Sequence, residues 1–111
     1  MQSENSQKVI ARFFQCLDYL KALRIIKGKY PFARAHGVDY RNFYKLEVDH
    51  SRDLFQVEWL TTLVDTYKVN PMWLLCGQEP FFQPLWNDKL VRQTLQNPCN
   101  GKDKTLQNAD N

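Results

Sequence analysis

Apolar residues return every three or four positions along most of this chain, and that spacing predicts helices. Ile10, Phe13, Phe14, Leu17, Leu20 and Leu23 mark the stripe of a first helix. It is expected to start near Asn5 or Ser6 and to reach Ile25 or Ile26, with Gly28 as the break. Arg12, Asp18, Lys21 and Arg24 fall away from the centre of the stripe. Pro31 suits the first turn of a second helix, where a missing N–H costs little. Phe32 and Ala35 are expected to face inward there, and Ala33 is small enough to let a neighbouring helix come close. Gly37 fits the end of that helix, because without a Cβ it takes up positive φ freely.

Asp39 is a start signal for a third helix, Tyr40 to Glu47, since a short carboxylate can accept from the free N–H groups of the first turn. At about 100° per residue, Phe43 and Leu46 share one face, and Arg41 and Lys45 lie opposite, flanked by Asn42 and Tyr44. One face is therefore read as core. The other offers two cations, an amide and a phenol, which suits an anionic partner. Val48 to Arg52 reads as a polar loop. A fourth helix is expected from about Asp53 to Tyr67, with Val57, Leu60, Leu63, Val64 and Tyr67 as its stripe and Trp59 beside it. Asn70 caps a fifth, Pro71 takes its first position, Trp73, Leu74 and Leu75 enter the core, and Gly77 ends it. Strand-like alternation with hairpin turns is not seen, so the fold class is all-α.

Two stretches carry a family resemblance. Phe32-Ala33, Gly37-Val38 and Phe43, Lys45, Leu46, Glu47 resemble the helix-turn-helix of phage repressor and Cro-like proteins, the XRE family. Val69-Asn70-Pro71-Met72-Trp73-Leu74-Leu75-Cys76-Gly77 is similar to that family's closing motif. With the first helix, the likeness covers roughly residues 7–82. Gly28-Lys29 stand where the family often has Ser-Gln, Asp39 replaces its usual Ser, and the link from Val48 to Phe55 is slightly long. The resemblance implies a five-helix, lambda-repressor-like helix-turn-helix domain over residues 6–82. It also implies sequence-specific binding of double-stranded DNA by a repressor-like transcriptional regulator of a bacterial or mobile-element gene. The third helix would read the major groove, and the start of the second would grip a phosphate.

Charge sharpens that picture. The chain has 111 residues and a net charge of +3, which is mild. Between Lys21 and Lys45, however, Lys21, Arg24, Lys27, Lys29, Arg34, Arg41 and Lys45 face a single acid, Asp39, and such a cluster can be the footprint of a polyanion. Arg41 is the best placed reader of guanine, and Lys45, one turn on, can reach phosphate or base. Asn42 could read adenine or hold a phosphate, and Tyr44 could pack on a thymine methyl or bond a phosphate. Tyr40 lies nearer the core face, where packing and contact are both open. Lys29, Tyr30 and Arg34 are the candidate backbone clamp.

Other chemistry is thinly supported. His36 and His50 have no second ligand at helical spacing and read as packing or surface residues. The glycines, at 28, 37, 77 and 101, form no phosphate loop. Cys16, Cys76 and Cys99 fit neither a disulfide framework nor a zinc site, and Cys16 and Cys76 read as reduced packing residues. Glu47 reads as structural. No enzyme, metal or cofactor is implied. A polar start and the lack of a long apolar run make a cytoplasmic protein the expectation.

Residues 83–111 read as a C-terminal extension. Pro80 and Pro84 bracket Phe81-Phe82 as an apolar strap, a helix follows at about 85–96, Asn97-Pro98 stops it, and the polar remainder is expected to be mobile. Phe81, Phe82, Trp86, Leu90, Val91 and Leu95 are either the seam of a homodimer or a piece of the same core. This aromatic end also keeps a rival reading open, in which a helix-turn-helix serves as a protein-interaction module or antitoxin.

Overall fold

A computed structural model describes residues 2–96, and over them the chain is all-α. Six helices follow in order: α1 Glu4–Ala22, α2 Lys29–Ala35, α3 Tyr40–Val48, α4 Val57–Thr66, α5 Pro71–Cys76 and α6 Asp88–Gln96. The described residues hold no strand, only an isolated antiparallel bridge between Val69 and Phe82. No helix among them is long and apolar enough to cross a membrane.

α1 is the spine, packing on α2 and α5, while α2 packs on α3. Its stripe of Ile10, Phe13, Phe14, Leu17 and Leu20 is buried, as its spacing requires. Phe13 sits at the centre of an aromatic cluster, edge-on to Phe14, Phe32, Phe43 and Phe55. Such pairs add to the area that each ring buries. Cys16 is free and buried in this core, and burial pushes its thiol pKa well up, so it stays protonated and inert.

α1 is shifted toward the N-terminus relative to its expected span. Ser3 is the cap, accepting from the Ser6 N–H, so the helix begins before Asn5. It stops at Ala22, short of Ile25. Arg24 takes φ 62°, and the Arg24 and Ile25 N–H groups turn back to the Lys21 and Leu20 carbonyls. This is a Schellman stop built without the usual glycine, and it turns Ile26 into the core.

α2 ends the same way, with Gly37 at φ 69° and the Val38 N–H on the Ala33 carbonyl. Phe32 and Ala33 are buried, as an inward ring and a close helix approach require, but Ala35 is exposed, against the inward place expected for it. α4 starts at Val57, four residues after Asp53. Its buried side is Trp59 and Leu63, with Leu60 and Val64 at the edges and Val57 74% exposed. Leu63 and Tyr67 keep their expected inward places, while Trp59, packed on Phe13 and Phe55, joins them and Val57 does not. In α5, Asn70 caps the Met72 N–H and Leu74 is buried, but Leu75 and Cys76 are exposed, against the inward places expected for them. Six residues give a helix this short only one fully inward position. Gly77, at φ 75°, closes it; a Cβ there would meet the Arg12 guanidinium, which donates to the Leu75 carbonyl.

The strap and α6 lie on the same core. Phe81 meets Tyr19 and Trp73 edge-on. Gln83 donates through Nε2 to the Val64 and Val69 carbonyls, closing the end of α4. The extension's helix begins at Asp88, later than position 85, with the Asn87 side chain accepting from the Leu90 N–H. Val91 is fully buried, and Arg92 donates to the Leu23 carbonyl at the end of α1. Cys99 and the tail expected to be mobile lie outside the described residues.

Candidate nucleic-acid interface

α3 is placed by its buried side. Asp39 accepts from the Arg41 and Asn42 N–H groups, fixing where the helix starts. Phe43 and Leu46 are fully buried, and Phe43 is ringed by Phe13, Phe14, Tyr30 and Trp59. Their burial orients the helix, so Arg41, Tyr44 and Lys45 are exposed on the far side. Neither the Arg41 guanidinium nor the Lys45 ammonium has an ion pair or side-chain hydrogen bond among the described residues. Arg34, at the end of α2, is likewise exposed.

Val48 was not singled out by its sequence position. It belongs to α3 rather than to the loop, and it is 69% exposed, one turn beyond Tyr44 and two beyond Arg41. The signal was available: positions 41, 44, 45 and 48 repeat at helical spacing. Asn42 is half-buried and turned toward α4. It lines a small polar cavity of about 150 Å³ with His36, Asp39, Gln56, Glu58 and Thr62.

Lys29 and Tyr30 are the main departure from the expected clamp. The Lys29 ammonium forms an ion pair and hydrogen bond with the Glu47 carboxylate and lies 3.6 Å from the Asp18 carboxylate. The Tyr30 O–H donates to the other Glu47 oxygen at 3.2 Å. That hydrogen bond to Glu47 is the chief cause holding the Lys29 pKa above its ordinary value. Partial burial, then the Glu47 charge, raises that of Tyr30. Tyr40 packs on the Tyr30 ring at 4.8 Å while remaining 58% exposed, so it both packs and faces outward. The beginning of α2 is thus tied to the end of α3 by the chain's own carboxylate, in the place where a phosphate was expected.

The histidines have packing partners. His36 Nε2 lies 2.8 Å from the Tyr67 hydroxyl, and burial lowers its pKa. His50 stacks on Phe14. Among the described residues, no three His, Cys, Asp or Glu side chains gather as a metal would need.

The candidate seam residues divide. Val91 is inside the protein, and Phe81, Phe82 and Leu95 pack against its core. Trp86 lies under the Lys68 ammonium at 5.2 Å. Of the six, only Leu90 is exposed, and Leu85 beside them is 95% exposed. No family model, curated protein or solved structure matches the chain.

Proposed function

We propose that the chain is a sequence-specific binder of double-stranded DNA, a repressor-like regulator built on a lambda-repressor-like helix-turn-helix of which α2 and α3 are the core. The observation that carries this is α3 itself: a helix fixed by two fully buried side chains, whose opposite side holds Arg41, Tyr44 and Lys45 without partners among the described residues. An unpaired arginine on a rigid exposed helix suits bidentate readout of guanine in the major groove. Lys45 supplies a phosphate or base contact, and Val48 an apolar surface for a thymine methyl. Tyr40 borders the same surface on α3, Asn42 stands at its α4 edge, and Arg34 is a further exposed cation at the end of α2. The family resemblance of the two motifs points the same way. The reading calls for a binding protein, without catalysis.

A single α3 reads only a few base pairs, so we infer binding as a homodimer on a two-fold symmetric site. Leu85 and Leu90 are the apolar side chains of the extension left for a partner. Gel shifts on random duplex fragments, run at several salt concentrations, test the function.

One observation favours a second reading. An apolar groove of about 590 Å³ between α4 and α5, edged by exposed Val57 and Leu75, would suit a protein partner if no duplex were bound.

A further inference from the structure

We propose that the corner between α1 and α2, through Lys21, Arg24 and Lys27, supplies the phosphate grip of the duplex-binding surface in place of the beginning of α2. The proposal rests on the duplex-binding reading above. Its first ground is the loss of the expected grip: the Lys29 charge and the Tyr30 hydroxyl are already spent on Glu47, and Asp18 takes a further share of Lys29.

Its second ground is what surrounds that tie. Lys21, Arg24 and Lys27 are exposed and have no ion pair or side-chain hydrogen bond among the described residues. Lys27 is flanked by buried Ile26 and buried Gly28, so the local backbone presents it to solvent. Lys21 stands three residues beyond Asp18, on the same side of α1. The two nearby carboxylates are engaged by Lys29. Together those three groups carry one net negative charge against the three free positive ones, so the corner stays positive.

Its third ground is position. The Lys29–Glu47 bond holds the corner against the last turn of α3, and Lys27 lies within about 7 Å of Lys29 along the backbone. Glu47 and Tyr40 share one side of α3, and Tyr44 lies next to them at the border of the exposed face. The corner therefore flanks the tyrosine edge of the face that bears Arg41. With α3 in a groove, that edge meets one backbone strand. The ligand is a run of adjacent phosphates on that strand, contacted without regard to base.

The test compares the full chain with Lys21→Gln, Arg24→Gly, Lys27→Gln and the triple variant. Glycine is chosen at 24 because the backbone there has φ 62°, which glycine adopts without strain. Affinity is read by fluorescence anisotropy on a duplex selected by the wild-type protein and on an unrelated duplex, across a range of salt. The triple variant should weaken both complexes by the same factor. Its plot of log K against log salt should be shallower by about 2.7 per protomer, roughly 0.9 for each contact, and so by about 5.4 for a dimer on its site. Urea midpoints should stay near wild type, which separates lost contacts from lost folding. A wild-type slope in the triple variant overturns the proposal and leaves duplex binding intact. A wild-type protein that binds no duplex at any salt overturns both. Vesicles with one-third phosphatidylserine form a last arm: if the triple variant loses only vesicle binding, the corner is a membrane patch and the proposal fails.

Discussion

Lys29 and Glu47 form an ion pair across the join of α2 and α3, and the Tyr30 hydroxyl donates to the same carboxylate. Lys29 is the first residue of α2 and Glu47 the last but one of α3, so the pair fixes the angle at which the exposed face of α3 is carried. Glu47→Gln should cost about 1–2 kcal/mol, between a surface ion pair and a buried charged hydrogen bond. Lys29→Met in the Glu47→Gln background should add little, giving a clear coupling in a double-mutant cycle by urea unfolding. Strictly additive losses would mean that the pair contributes nothing.

Phe43 is the anchor of α3, fully buried against four other rings. Phe43→Ala should cost about 3–5 kcal/mol and weaken every property that depends on α3. Thermal and urea unfolding check this; a melting temperature equal to wild type would contradict the placement.

This anchor was legible in the sequence, as were the caps at Asp39 and Asn70 and the stop at Gly77, because each depends on a residue and its immediate neighbours. The end of α1 was not. Arg24 holds a left-handed position that sequence rules assign to glycine or asparagine, and the turn it makes brings Ile26 into the core. In α4 and its cap, Leu63 and Tyr67 were readable as core, but the exposure of Val57 and the burial of Trp59 were not, since Trp59 packs on Phe13 and Phe55, a tertiary fact. The outward side of α3 was readable from spacing alone. The commitment of Lys29 and Tyr30 to Glu47 was not, since partners 17 and 18 residues apart leave no local signature.

His36 makes stability pH-dependent. Burial lowers its pKa, so the folded chain binds a proton there less readily than the unfolded chain does. Its neutral form contributes fully above the unfolded value of about 6.5, and that contribution is lost as pH falls through the lowered folded value. The Tyr67 hydroxyl and the Asp39 and Glu58 carboxylates are the other titratable groups at this cavity or packed on the ring. The urea midpoint should therefore drop between about pH 7 and pH 5. His36→Gln should flatten part of that drop. An identical pH profile in the variant would assign the drop to other groups.

Leu90 tests the dimer. It is the exposed one of the six seam candidates, whereas Val91 beside it is buried. Leu90→Asp should leave the fold intact and shift sedimentation toward the monomer, both free and on DNA. Val91→Ala should instead lower stability by about 1.5–3 kcal/mol. A wild-type chain that sediments as a monomer at high micromolar concentration, and stays so on DNA, would end the dimer reading.

The central claim is that the exposed face of α3 reads base sequence, with Arg41 as its chief reader. Selection of bound sites from a pool of random duplex DNA, run in parallel with wild type and Arg41→Ala, tests it most directly. Wild type should enrich one short motif, repeated with two-fold symmetry. The variant should bind the best site about 1–3 kcal/mol more weakly and lose preference at one position of each half-site. Recovery of no motif by wild type, or of the same motif at the same strength by the variant, would contradict the account.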